Sequence, residues 1–204
     1  GNWQLFLAKI ARKEEANFPN ATIIEEEVLL PSATVERAYP QFSPDGKELA
    51  FIEERNRLMV INLDTKKVRQ ITDGSTWFST DGNFDYQWSP DGKWFTLEFI
   101  GNRHDPYSDI GLVSAKGDSP ITNLTNSGYM SGSPRWVLDG NAILFTTERY
   151  GMRAHASWGS QNDAMLVFLN QDAFDKFRLS KEDYELQKEL EKELQVLKVQ
   201  HQGS

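Results

Sequence analysis

Pro40-Gln-Phe-Ser-Pro-Asp-Gly46 has two counterparts in the chain, Tyr86-Gln-Trp-Ser-Pro-Asp-Gly92 and Pro134-Arg-Trp-Val-Leu-Asp-Gly140. The three aspartates are 46 and 48 residues apart, and a large aromatic residue lies three positions before each. Pro-Asp-Gly favours a tight turn, because proline presets φ, aspartate accepts local hydrogen bonds and glycine tolerates positive φ. Four and six positions after each aspartate comes an apolar residue, the alternation of a half-buried strand. Each stretch therefore predicts a β-hairpin.

Further strand-like segments follow the first two hairpins. They are Leu58–Leu63 and Val68–Thr72 in the first unit, and Asp109–Ser114 and Ile121–Leu124 in the second. Four short strands in a period of about 45 residues are typical of a β-propeller blade. The units show no 3.6-residue period, which excludes a helical solenoid. The sequence therefore predicts an all-β fold of four-stranded propeller blades.

The segments at both ends predict incomplete blades. Gln4–Ala8 and Thr22–Leu30 have the pattern of two strands, and Asp163–Leu169 gives the last unit a third strand. We expect a partial β-propeller over residues 1–170, with half a blade, two full blades and three strands of another. Closed propellers have about four blades or more. We therefore expect the chain to form an open arc or to self-associate through blade edges.

The C-terminal tail changes to a helical period. Ser180 and Asp183 have the spacing of a capping box, which starts helices. The leucines that follow fall on one stripe of a helix: Leu186, Leu190, Leu194 and Leu197. Residues 171–204 are therefore predicted to form an α-helical insertion or tail that packs on the propeller.

Composition excludes several classes of function. The chain has 204 residues, no cysteine and a net charge of −8. The absence of cysteine excludes disulfides, thiolate zinc sites and cysteine nucleophiles. The negative charge disfavours nucleic acid as a partner, and no apolar run approaches the length of a membrane span. An extracytoplasmic bacterial location, such as the periplasm, with the signal peptide removed, is compatible with the missing cysteines.

Two blocks of sequence carry a family resemblance. The Ser-Pro-Asp-Gly-Lys turns that begin at Ser43 and Ser89 resemble the WD40-like repeats of TolB-type propellers. Glu148-Arg-Tyr-Gly-Met-Arg-Ala-His-Ala-Ser-Trp-Gly-Ser160, followed by Phe174-Asp-Lys-Phe-Arg-Leu-Ser180, resembles the N-terminal propeller region of tricorn-like peptidases, which are serine peptidases of the S41 family. The resemblance implies a non-catalytic segment of an exported peptidase that guides or filters peptides. Its partners would be peptides and the remainder of the parent peptidase, with no cofactor.

Two alternative functions stay open. One is a TolB-like module that binds a protein partner in the cell envelope and has no linked peptidase. The other is an accessory propeller of the prolyl-oligopeptidase type, which would require a downstream α/β-hydrolase nucleophile elbow.

Aromatic and polar residues in the predicted loops are the candidate peptide contacts. They are Trp77, Phe78, Tyr107, His155, Ser157 and Trp158. His155 and Ser157, with Ser160 and Asp163 nearby, include the residue types of a catalytic triad. Because the chain has no Gly-x-Ser-x-Gly elbow, the segment is predicted to be a polar loop, and no catalytic residue is assigned. The three histidines lack the i,i+4 spacing of a metal site, and no metal is expected.

Overall fold

The computed structural model describes residues 2–12, 14, 18–20, 22–32, 34–77, 83–101, 107–151 and 161–202. In these residues the strands form four antiparallel sheets of two, four, four and three strands, and two α-helices follow. The predicted all-β fold of four-stranded blades, with a helical segment near the C-terminus, is confirmed.

The strands follow the chain order within each sheet. The first sheet pairs β1 (Leu5–Ile10) with β2 (Ile24–Leu29). The second contains β3 (Arg37–Phe42), β4 (Glu48–Glu53), β5 (Arg57–Asn62) and β6 (Val68–Gln70). The third contains β7 (Tyr86–Trp88), β8 (Trp94–Phe99), β9 (Asp109–Ser114) and β10 (Thr122–Asn123). The fourth contains β11 (Ser131–Val137), β12 (Ala142–Thr147) and β13 (Asp163–Phe168).

The first two Asp-Gly turns are closed by the serine that begins them. The Ser43 hydroxyl donates to the Asp45 carboxylate over 2.7 Å, and the same oxygen accepts the Glu48 N–H over 3.0 Å. Ser89 makes the equivalent bond to Asp91 over 2.6 Å. These hydroxyl bonds are the main reason that the pKa of each aspartate lies below its ordinary value.

The third turn has a different backbone conformation. Val137 and Leu138 stand where the first two turns have serine and proline. Without those residues the chain forms a short 3-10 turn at Leu138–Gly140, in which Leu138 has a φ of 51° and Asp139 a φ of 54°. Positive φ is unfavourable for a residue with a bulky side chain such as leucine, so this turn is strained.

The hydrophobic core lies between the sheets. On β4, Leu49 and Phe51 join the cluster shared with the first sheet, whereas Ala50 and Ile52 join the cluster shared with the third. A third cluster, which includes Ile110 and Ile143, lies between the third and fourth sheets. Strands that are buried on both faces are expected when blades stack side by side around a propeller.

The helices begin at recognisable caps. Asn170 accepts the Ala173 N–H over 2.8 Å and starts α1 (Gln171–Phe177). Ser180 accepts the Asp183 N–H over 3.1 Å and starts α2 (Lys181–Gln202), as the capping box predicts. Helix α1 packs against Phe168 of β13, whereas the leucines on the stripe of α2 are about half exposed. The division of the chain at residue 170 stays a prediction.

Neither helix, over the residues described, is long and apolar enough to cross a membrane.

Candidate functional site

The antiparallel strand order separates two ends of the blades. One end, called the turn end, carries the connections 43–47, 63–67, 89–93, 115–121 and 138–141. The opposite end, called the loop end, is where the connections 54–56, 71–85, 100–108, 124–130 and 148–162 begin and end. The long connections of the second, third and fourth sheets therefore share one end of the propeller.

All six predicted peptide contacts belong to these loop-end connections. Phe78, His155, Ser157 and Trp158 lie outside the described residues. Trp77 is half-buried and packs on Phe84, with ring centroids 5.7 Å apart, at the edge of the core between the second and third sheets. Tyr107 is half-buried just before β9. Their role in binding peptides stays a prediction.

A carboxylate that the sequence analysis did not single out lies at the loop end. Glu98 of β8 accepts the Ser133 N–H over 2.6 Å and the Asp85 N–H over 3.3 Å. The Asp85 carboxylate lies 3.4 Å from the guanidinium of Arg135. These contacts join the third sheet to β11 of the fourth sheet.

Burial raises the pKa of Glu98 above its ordinary value, and the two donated N–H groups oppose this shift. Comparison of the repeats indicates Glu98 from the sequence, because it occupies the position on β8 that the buried Ile52 occupies on β4. A carboxylate at a position that is apolar in another blade indicates a partly buried polar contact.

A fully buried carboxylate, Asp109, organises the connection after β10. Asp109 is 1% exposed and accepts hydrogen bonds from the Asn123 amide, the Thr125 hydroxyl and the Ser127 N–H over 2.6 to 3.0 Å. Such a fully bonded carboxylate is expected to fix the loop conformation and leaves little capacity for a ligand.

Two clefts lie at the turn end, on either side of Trp94. The first, of about 460 Å³, is lined by Trp136, Asp91 and Asp139 among others. The second, of about 490 Å³, includes Arg69 and Lys93. The clefts are thus opposite to the end where the connections that contain the predicted peptide contacts begin and end. Over the described residues, no group of three histidine, aspartate or glutamate side chains is placed to hold a metal ion.

The sequence matches the propeller region of peptidases. The family model of the dipeptidyl peptidase IV N-terminal region matches residues 15–104, somewhat under half of the chain. A curated relative, the uncharacterized peptidase YuxL of Bacillus subtilis (strain 168), is 29% identical over 119 residues, which are 56% of this chain and 18% of YuxL.

Two solved structures share the fold. The tricorn protease aligns with a TM-score of 0.53 and 15% identity, over 71% of this chain and 15% of that chain. A prolyl endopeptidase aligns with a TM-score of 0.52 and 19% identity, over 74% of this chain and 24% of that chain. This chain therefore spans less than a quarter of each of these longer proteins. Together the matches confirm the resemblance to the β-propeller regions of peptidases.

Proposed function

We propose that this chain is the non-catalytic propeller region of a larger serine peptidase and that peptides reach the enzyme past its loop end. The observation that carries the proposal is the grouping of the long connections of three sheets at that end, in a chain whose sequence matches peptidase propellers. Loops that extend from a rigid scaffold are the usual place for recognition.

The charge of the chain supports a preference among peptides. The whole chain carries a net charge of −8. A negative field at an entrance raises the local concentration of positively charged ligands and repels acidic ones. Basic or neutral peptides are therefore the proposed substrates.

The parent enzyme is proposed to be an exported, tricorn-like peptidase of the S41 family. A second candidate is a peptidase of the prolyl-oligopeptidase type, which is favoured by the match of residues 15–104 to the dipeptidyl peptidase IV N-terminal region. The two differ in the catalytic domain, since the second requires a Gly-x-Ser-x-Gly elbow in an α/β-hydrolase fold.

The test compares long and short substrates of the full-length parent. Tyr107→Ala and Trp158→Ala should lower kcat/KM for a long basic peptide by about three- to tenfold, the loss typical of one aromatic contact, and leave a single-residue chromogenic ester unaffected. Lys67→Ala, an exposed substitution at the turn end, is the control. Equal losses on both substrates, or no loss on either, would contradict a role in peptide entry.

A further inference from the structure

Helix α2 presents an apolar patch to solvent. Leu186, Leu190 and Leu194, defined here as the leucine patch, are between 52% and 57% exposed. They are spaced four residues apart and therefore share one face of the helix. Contiguous apolar surface of this kind on a folded protein marks an interaction site.

Helix α1 holds α2 without covering the patch. The Lys176 ammonium lies 2.9 Å from the Glu191 carboxylate and 5.7 Å from the centroid of the Tyr184 ring. Glu191 also accepts a hydrogen bond from the Gln187 amide over 3.0 Å. These α1–α2 contacts lie on a side of α2 away from the leucine patch.

Exposed carboxylates flank the patch. Glu182 lies four positions before Leu186, Glu189 three positions after it, and Glu193 three positions after Leu190. Residues three or four apart are neighbours on a helix surface, whereas residues two apart are not. Lys188 and Lys192, each two positions from Leu190, therefore lie away from the patch, and the lysine with neighbour spacing is Lys198, four positions after Leu194.

This charge pattern indicates which kind of helix would cover the leucine patch. In an antiparallel pair of two copies, the carboxylate edge of one α2 would face the same edge of the other, which is unfavourable. The net charge of −8 on each copy adds long-range repulsion. An amphipathic helix with an aliphatic seam and flanking lysine or arginine residues fits both the leucine patch and its acidic edge.

We infer that the leucine patch is covered by a basic amphipathic helix of the parent polypeptide from outside residues 1–204. The inference rests on the proposed function, since it places this chain in a larger peptidase. The lengths of the matched proteins support that source, because this chain covers 15% to 24% of them. A segment on the same polypeptide also benefits from a high effective concentration.

The chemistry is tested on the 204-residue chain with a synthetic helical peptide of leucine and lysine, about three heptads long. Fluorescence anisotropy should show binding, and the same peptide with glutamate in place of lysine should bind at least about tenfold more weakly. Leu190→Gln and Leu194→Gln should each weaken binding by about fivefold or more. Glutamine keeps the helix, because it is a good helix former.

Val196→Gln is the matched control, since Val196 is 57% exposed but lies two positions from Leu194 and off the patch. Absence of binding, equal binding of the glutamate peptide, or equal effects of Val196→Gln and Leu190→Gln would overturn the inference. So would dimerisation of the chain that Leu190→Gln abolishes, because a second copy would then be the occupant.

The source is tested by cysteine labelling in the full-length parent. This chain contains no cysteine, so Leu190→Cys introduces a single thiol whose modification can be followed on its own tryptic peptide. Labelling should be about tenfold slower in the parent than in the 204-residue chain, because a covered thiol reacts only when its cover opens. Equal rates would overturn the assignment to the parent. These readouts do not use peptidase activity, so their failure leaves the peptide-entry proposal separately testable.

Discussion

The indole N–H of Trp88 donates a hydrogen bond to the main-chain carbonyl of Gln41 in the preceding blade, over 3.2 Å. The same contact recurs one blade later, where Trp136 donates to the carbonyl of Gln87 over 3.3 Å. Both tryptophans are the aromatic residue that precedes the repeat aspartate by three positions. The repeat therefore specifies a contact between blades as well as a turn within each blade.

Replacing Trp88 with phenylalanine removes this hydrogen bond and part of a buried ring. Trp88 is 8% exposed and packs against Phe95 in a tilted arrangement, with ring centroids 4.1 Å apart. We expect Trp88→Phe to lower the free energy of unfolding by about 1–3 kcal/mol, combining a lost hydrogen bond with lost packing. Urea denaturation measures the change. Trp94→Phe, at a site that is 42% exposed, is the control and should cost less than about 0.5 kcal/mol. Equal costs would show that the indole bond does not stabilise the blade contact.

Gly117 is a position at which a methyl group should be poorly tolerated. Its φ is +71°, and an added Cβ would collide with the main-chain carbonyl oxygen of Gln70 in the neighbouring sheet. Gly117→Ala should therefore lower the free energy of unfolding by about 2–4 kcal/mol, from backbone strain and displacement of the two sheets. Gly128→Ala is the control, because an added Cβ there meets nothing within 4 Å. A cost at Gly117 no larger than that at Gly128 would refute this close approach.

The partly buried carboxylate of Glu98 should make stability depend on pH. Burial raises the pKa of Glu98 in the folded protein above the unfolded value. The folded state therefore holds the proton more tightly, and stability falls as the pH rises from the ordinary range of glutamate through the raised pKa. Glu98→Gln removes this pH-dependent contribution to the free energy of unfolding. The free energy of unfolding of the wild type minus that of Glu98→Gln should decrease as the pH rises.

Urea denaturation of both proteins from about pH 4 to pH 8 tests the sign of this dependence. The difference between variant and wild type isolates Glu98 from Asp45 and Asp91, whose lowered pKa values act in the opposite direction. A difference that is flat or rises with pH would contradict the raised pKa of Glu98.

Giving the strained third turn the residues of the first two turns should raise the free energy of unfolding. The number of residues between the aspartate and the next strand is the same in all three turns, since β4, β8 and β12 each begin three positions after the aspartate. Val137 has a φ of −138° and a ψ of 171°, an extended conformation that is compatible with a following proline. The double variant Val137→Ser and Leu138→Pro should gain about 1–2 kcal/mol by removing the positive φ at Leu138 and allowing a serine–aspartate bond. Thermal and urea unfolding measure the gain, and a less stable double variant would show that the third turn is required as it is.

The sequence predicts the strands well because their signals are local. The Asp-Gly turn and the alternation after it predict β4 and β8, and the segment Asp163–Leu169 differs from β13 by one residue. The Ser180–Asp183 capping box likewise predicts the start of α2. These features depend on residues close in sequence, so they can be recognised before the tertiary structure is known.

Contacts between blades are harder to predict, because they depend on which faces meet. The Tyr86 hydroxyl donates to the carbonyl of Tyr39, and Glu98 contacts Ser133, 35 residues further along the chain. The predicted peptide contacts rest on residue type and on position in loops, and four of the six lie outside the described residues.

The most direct test of the central claim is to sequence the parent reading frame downstream of the codon for Ser204. We predict that the frame continues for several hundred codons into a domain with the nucleophilic serine of a peptidase. An α/β-hydrolase elbow in that domain would assign the parent to the prolyl-oligopeptidase type, and its absence would favour the tricorn-like type. A stop codon directly after Ser204 would contradict the claim that this chain is part of a larger peptidase.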